Sequence, residues 1–341
     1  MLIVMASDAG PDDVARVCDA VRELGYEAHP IPGRTRVAIG ITGNQGPIDP
    51  ASVAALPGVL ELIPVTRPYK LTSREMQPED TVVRVGPLEI GGPRLAVIAG
   101  PCSVETLDQT LDTARAVREA GAGLLRGGAF KPRTSPYTFQ GLGAQGLEIL
   151  RRARELTGLP VVTEAVDCES FDLVERAADV IQIGARNMQN YSLLRRAGRA
   201  SKPVLLKRSV SGTLLELLMA AEYVLAAGNR DVILCERGIR AFSDYSRYTL
   251  DISIVPELKR ITHLPVLVDP SHAVGRRELV APLARAAVAA GADGIMVEVH
   301  PTPRAALSDA AQALDPTEFA ALMEELRAIA PAVRRGIEVR A

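Results

Sequence analysis

Eight short apolar runs recur along the chain after residue 94, and each ends in a polar or charged residue suited to chemistry. They are LAVIAG from Leu95, GLLRGG from Gly123, PVVTEA from Pro160, DVIQIG from Asp179, PVLLKR from Pro203, DVILCERG from Asp231, PVLVDPSH from Pro265 and DGIMVEVH from Asp293. A continuously apolar strand must be covered on both faces, and the stretches between the runs read as helices. The clearest are Glu105 to Glu119, Leu214 to Ala227 and Arg277 to Ala290, each stopped by a glycine, with a last helix over Pro316 to Ala328. This alternation predicts a parallel sheet closed into a (β/α)8 TIM barrel. In that fold the strand C-termini converge on one face. The runs would therefore bring Cys102, Arg126, Glu164, Gln182 with Arg186, Lys207, Arg237, His272 and Glu298 into one polar pocket.

The first seventy residues have another rhythm. LIVMA reads as a strand, and Val14, Val17, Val21 and Leu24 share one face of a helix that ends at Gly25. Strands over Tyr26 to Ile31 and Arg36 to Ile41, a short helix over Pro50 to Leu56 and a strand over Val59 to Val65 complete a βαββαβ order, which is that of a small α+β, ferredoxin-like domain. It gathers no acids, bases or nucleophiles, so a binding, regulatory or assembly role is expected of it. Residues 71–94 are rich in turn formers and read as a linker with room for a small hairpin, which gives the division 1–70, 71–94 and 95–341. The tail from Pro331 carries no clear signal.

Composition narrows the partners. At 341 residues the chain exceeds the roughly 250 of a typical barrel and leaves room for the additional domain. A net charge of -2 without a basic block disfavours nucleic acid or an anionic membrane, and the basic residues at strand ends point instead to a small anionic ligand. Four scattered cysteines without metal-finger spacing, and neither a signal peptide nor a long apolar span, lead one to expect a protein of the reducing cytoplasm.

Two constellations carry the candidate chemistry. Cys102, His272, Glu298 and Asp309 supply a thiolate, an imidazole and two carboxylates, a mixed set that suits Mn, Fe, Co or Zn better than Mg or Ca. Taken singly, each has an ordinary structural explanation, and it is the joint placement on one barrel face that singles them out. Arg126, Lys131, Arg133, Arg186, Lys207, Arg208 and Arg237 form a cationic set that would repel itself without a substrate bearing several negative charges. Arg208 alternates away from Lys207 and is expected to be solvated or paired. The segment from Arg126 to Gly143 is too long for an ordinary βα connection, which usually has 2–6 residues, and it carries Lys131, Arg133 and Thr134. Asp269 and His300 are candidates for orienting metal ligands, whereas His29, His263, Cys18, Cys168 and Cys235 read as ordinary.

With these residues laid out, the chain closely resembles 3-deoxy-D-arabino-heptulosonate 7-phosphate (DAHP) synthases of the microbial type with an N-terminal ferredoxin-like regulatory domain. The resemblance runs through AGPCSVE (99–105), RGGAFKPRTSPYTFQGLG (126–143), QIGARNMQN (182–190), LLKR (205–208), LCERGIR (234–240), VDPSHAVGRR (268–277), EVHP (298–301) and LSD (307–309). It implies condensation of phosphoenolpyruvate with erythrose 4-phosphate, the first step of the shikimate pathway. It also implies one divalent transition metal held by Cys102, His272, Glu298 and Asp309. Phosphoenolpyruvate would be bound by Arg126, Lys131, Arg186, Lys207 and Arg237 with Glu164 and Gln182, and the aldose phosphate by Arg133 and Thr134. Lys131 or a metal-bound water near His272 would deliver a proton. An aromatic amino acid effector at the N-terminal domain and a homotetramer are the further expectations.

Ser209 and Ala310 stand where the family usually has glycine, so the two local loops are expected to differ in shape. Two other readings compete. One is 3-deoxy-manno-octulosonate 8-phosphate synthase, whose motif resembles Lys-Ala-Asn-Arg where this chain has Lys131-Pro132-Arg133-Thr134. The other is a non-catalytic, effector-binding barrel.

Overall fold

The computed structural model describes residues 1–33, 35–44, 48–63, 68–132 and 135–337. The chain divides into two compact units, Met1–Asp80 with Ile261–His263, and Thr81–Arg260 with Leu264–Ala341.

In the first unit β1 (Leu2–Met5), α1 (Pro11–Glu23), β2 (Glu27–Pro32), β3 (Val37–Thr42), α2 (Ala51–Ala54) and β4 (Val59–Ile63) follow the expected βαββαβ order. The sheet runs β2-β3-β1-β4 with every pair antiparallel. Val17 and Val21 of α1 bury against Ile3, Ile39 and Ile41, because residues spaced by four share a helix face and alternate strand residues share a sheet face. The short helix shrinks to a single turn that buries only Val53, and Val65 of the expected last strand lies outside the described residues.

The second unit opens with a hairpin, β5 (Val83–Val85) and β6 (Leu88–Ile90). The barrel then follows as β7 (Ala96–Gly100), α3 (Leu107–Ala120), β8 (Leu124–Arg126), α4 (Ala144–Thr157), β9 (Val161–Ala165), α5 (Cys168–Ala177), β10 (Val180–Ile183), α6 (Tyr191–Gly198), β11 (Val204–Lys207) and α7 (Leu214–Ala226). It closes with β12 (Val232–Glu236), α8 (Ile254–Ile261), β13 (Val266–Val268), α9 (Pro270–Val274), α10 (Arg277–Ala289), β14 (Gly294–Glu298) and α11 (Pro316–Ile329). All eight strands pair in parallel, and β14 pairs with β7, so the eight apolar runs form a closed (β/α)8 barrel. Val83, Val85 and Ile90 of the hairpin share one buried cluster with inward-facing residues of all eight strands, among them Ile98, Leu124, Val162 and Met296. The hairpin thus covers the N-terminal end of the barrel, and the C-terminal end is left for the site. No helix among the described residues is long and apolar enough to cross a membrane.

Candidate active site at the C-terminal face of the barrel

Each strand hands over to its loop at a chemical residue. Glu298 is the last residue of β14, Arg126 of β8 and Lys207 of β11, while Cys102 lies two residues beyond β7 and His272 sits in α9 after β13. Asp309 comes from the loop after β14. Together Cys102 Sγ, one nitrogen of His272 and one oxygen each of Glu298 and Asp309 lie within 4.8 Å of one another.

The cluster is shaped to accept a cation. His272 Nδ1 donates to Asp269 Oδ2 at 2.7 Å, which leaves Nε2 facing Glu298 Oε1 at 3.1 Å and Asp309 Oδ2 at 3.8 Å. Burial lowers the His272 pKa despite the pull of Asp269 and Glu298, which favours a neutral ring with a lone pair on Nε2. Glu298 Oε1 is buried and accepts no hydrogen bond among the described residues. Cys102 Sγ lies 3.1 Å from Asp309 Oδ2, and burial, reinforced by Glu298, pushes its thiol up to about 12. A divalent ion would displace that proton and take up an oxygen that accepts no aligned hydrogen bond, so the residues fit a metal of the borderline class.

Lys131 reaches this cluster because the loop after β8 folds against the loop after β7. Ser103 and Gly128 form a bridge, Gly128 N donates to the Cys102 carbonyl at 3.2 Å, and a Cβ at Gly128 would lie 2.7 Å from that same oxygen and 2.8 Å from Lys131 Cδ. Only glycine permits this approach. Lys131 Nζ then donates to the Cys102 carbonyl at 2.9 Å and lies 3.0 Å from Sγ. Although burial opposes its charge, Cys102 and Glu298 raise its pKa, so it stays an ammonium.

Beside the cluster lies a cavity of about 300 Å³ lined by Arg126, Lys131, Glu164, Gln182, Arg186, Lys207, Arg237 and His272. Gln182 Nε2 donates to Glu164 Oε2 at 3.0 Å, and Lys207 is bonded to Asp269, whose carboxyl is held well below its usual range, against the cost of burial, by His272 and Lys207. Arg126 Nη2 meets Glu298 Oε1 at 3.1 Å. Arg126 Nη1 and Arg237 Nη1, however, are buried and make no hydrogen bond among the described residues, Arg126 Nη1 having Asp269 Oδ2 at 4.0 Å. Two guanidinium donors so placed are a receptacle for an anion.

The remaining expected residues sort as follows. Arg208 is buried and paired with Glu236 and Asp251 at 3.0 and 2.9 Å, away from the cavity. His300 lies 3.5 Å from Glu105 and not in the cluster. Arg133 and Thr134 lie outside the described residues. Ser209 and Ala310, expected to shape their loops differently from a glycine, both keep a negative φ. Among the described non-glycine residues only Asp309 (φ 50°) and Arg334 (φ 60°) are left-handed, and aspartate tolerates that conformation. Sequence reasoning missed Arg240, Arg247 and Tyr248, which also line the cavity; Arg237 stacks on Tyr248 at 4.6 Å and Arg247 pairs with Asp309 at 3.3 Å. Their loop, from Arg237 to Ser253, is as overlong for a βα connection as the one after β8, and that length was the available signal.

Comparison with known proteins follows the same division. Residues 80–332 match the model of the DAHP synthetase I family, and residues 1–67 that of the DAHP synthase ferredoxin-like domain. The chain belongs to the DAHP synthetase I family. A phospho-2-dehydro-3-deoxyheptonate aldolase of Thermotoga maritima is 48% identical over 99% of this chain and 100% of its own length. The crystal structure of a Thermotoga maritima DAHP synthase matches 99% of each chain with a TM-score of 0.79 at 47% identity. A truncated form of the synthase from that organism matches 79% of this chain and 99% of its own, with a TM-score of 0.75. A 2-dehydro-3-deoxyphosphooctonate aldolase of Nitratidesulfovibrio vulgaris is more distant, at 37% identity over 69% of this chain and 92% of its own length. The DAHP synthetase relative thus includes the N-terminal domain and is the nearer in identity of the two.

Proposed function

We infer that this chain is a DAHP synthase, a transferase that condenses phosphoenolpyruvate with D-erythrose 4-phosphate and water to give DAHP and phosphate. The observation that carries this reading is the pair of buried guanidinium donors on Arg126 and Arg237 that make no hydrogen bond among the described residues, lining one cavity beside the Cys102, His272, Glu298 and Asp309 cluster. Such a pocket suits a small molecule with a carboxylate and a phosphate beside a carbonyl to be polarised.

In this account Arg126, Lys131, Arg186, Lys207 and Arg237 hold the carboxylate and phosphate of phosphoenolpyruvate, and Glu164 and Gln182 line the same site. Arg133 and Thr134 take the phosphate of the aldose. The cations bring together two substrates that would otherwise repel each other, and holding them in register is itself a large part of the rate. A divalent ion of Mn, Fe, Co or Zn, held by Cys102, His272, Glu298 and Asp309, supplies a Lewis acid toward the aldehyde oxygen when bound. C3 of the enol phosphate attacks the aldehyde carbon, water adds at C2, and phosphate leaves with cleavage of its C–O bond. Lys131, kept as an ammonium 3.0 Å from Cys102 Sγ, is placed to give the proton that the developing alkoxide needs.

The N-terminal unit, which gathers no catalytic set, binds an aromatic amino acid end product of the shikimate pathway and regulates the barrel. The working form is a cytoplasmic homotetramer. The test is phosphate release from phosphoenolpyruvate and erythrose 4-phosphate by metal-stripped protein, with and without added Mn²⁺. Turnover restored by the ion supports the reading, and no turnover in either state refutes it.

A further inference from the structure

We propose that Gln312 is a positioning residue that sets which oxygen of Glu298 faces the metal. The inference rests on the reading of Cys102, His272, Glu298 and Asp309 as metal ligands. The loop after β14 returns along the end of its own strand: His300 N donates to the Leu314 carbonyl at 3.0 Å and Leu314 N to the Glu298 carbonyl at 2.9 Å, so that Val299 and Leu314 form a bridge. Arg277 N, at the start of α10, donates to the Ala311 carbonyl at 3.0 Å and fixes the same segment from the other side. Gln312, only 2% exposed, is thereby held under Glu298, and its Nε2 donates to Glu298 Oε2 at 2.6 Å.

Glu298 is fully buried, and an ionised carboxylate can only accept. With Oε2 engaged by Gln312, Oε1 is the oxygen turned toward His272 Nε2, at 3.1 Å, where Arg126 Nη2 also approaches it at 3.1 Å without an aligned hydrogen bond. An amide suits this task better than a cation. It satisfies the far oxygen without neutralising the negative charge that an ion would use. Gln312 N also donates to the Asp309 carbonyl at 3.2 Å, closing the turn that begins at the left-handed Asp309. One residue therefore ties two of the four ligands, one through its side chain and one through its backbone.

The test titrates metal-stripped full-length protein with Mn²⁺ alone, reading free ion by electron paramagnetic resonance. Gln312→Leu, Gln312→Asn and Glu298→Ala are compared, and unfolding temperature in chelator serves as the folding control. Leucine removes the donor, and asparagine keeps the amide one methylene short. Both are expected to weaken Mn²⁺ binding by about 10- to 100-fold, as loss of an orienting partner does. In the Glu298→Ala background the same changes should add nothing, because the oxygen they orient is gone. The Co²⁺ form of Gln312→Asn should shift its ligand-field bands and keep the thiolate charge-transfer band of Cys102. Unchanged affinity in both Gln312 variants, or additive loss on top of Glu298→Ala, overturns the proposal. Unchanged Mn²⁺ binding by Glu298→Ala alone overturns the site reading instead.

Discussion

Removing Arg208 isolates the energetic role of a charge that lies beside the site without belonging to it. Its Nη1 bonds Glu236 Oε2 at 3.0 Å and Asp251 Oδ2 at 2.9 Å, and its Nε bonds the Gly212 carbonyl at 2.7 Å. Glu236 is fully buried, so Arg208→Met strands a carboxylate without its cation, a change that typically costs about 3–5 kcal/mol. Glu236 keeps the amides of Gly238 at 2.7 Å and Asp251 at 3.3 Å, which places the expected loss near the lower end, about 3 kcal/mol. For a chain of this size that corresponds to a fall in unfolding temperature of roughly 4 °C.

The loss should also depend on pH. Burial raises the Glu236 pKa above its usual value even with Arg208 present, and without Arg208 it rises further. A carboxyl whose folded pKa exceeds its unfolded one loses stability as pH climbs from the unfolded value toward the folded one. Arg208→Met should therefore be less destabilised at pH 5.5 than at pH 8. Arg208→Met with Glu236→Gln, which removes the fully buried stranded charge and leaves only the partly exposed Asp251 without its cation, should recover more than half of the loss. Urea and thermal unfolding of metal-stripped protein at the two pH values are the assay. A loss under about 1 kcal/mol, or one that grows as pH falls, would refute the reasoning.

Other outcomes follow from the same coordinates. In Gly184→Ala the new methyl group would collide with Glu164 Oε1, the far end of a flexible side chain, so KM for phosphoenolpyruvate should rise about tenfold while unfolding temperature stays within about 2 °C; an unchanged KM would remove Glu164 from the binding site. Iodoacetamide at pH 8 should label native Cys168, which is exposed, and spare Cys18 and Cys235, both buried and both with thiols raised by burial, Cys235 to about 12; mass spectrometry showing native labelling of Cys235 would contradict this. Deleting residues 1–70 should leave turnover and abolish inhibition by tyrosine or phenylalanine, whereas inhibition that survives would place the effector site in the barrel.

Much of this was legible along the chain because a parallel barrel writes itself plainly. Its strands are buried on both faces and read as uninterrupted apolar runs, and its chemistry sits at their ends, so Arg126, Lys207 and Glu298 could be placed by position alone. What escaped depends on contacts between distant loops. Arg247 reaches Asp309 only because the backbone amides of Arg247 and Tyr248 bond the carbonyls of Val274 and Ala273. Gln312 reaches Glu298 only because its loop turns back on β14. The left-handed conformation of Asp309 was likewise not legible in the sequence, because its side chain is held by Cys102 and Arg247, which are distant along the chain.

The most direct measurement of the central claim is kcat/KM for erythrose 4-phosphate against arabinose 5-phosphate, with Mn²⁺ and saturating phosphoenolpyruvate and the sugar product identified by mass. The account predicts efficient turnover of the four-carbon aldose to a seven-carbon product and little or none of the five-carbon one. Preference for arabinose 5-phosphate would assign the pocket to the octulosonate aldolases and contradict it.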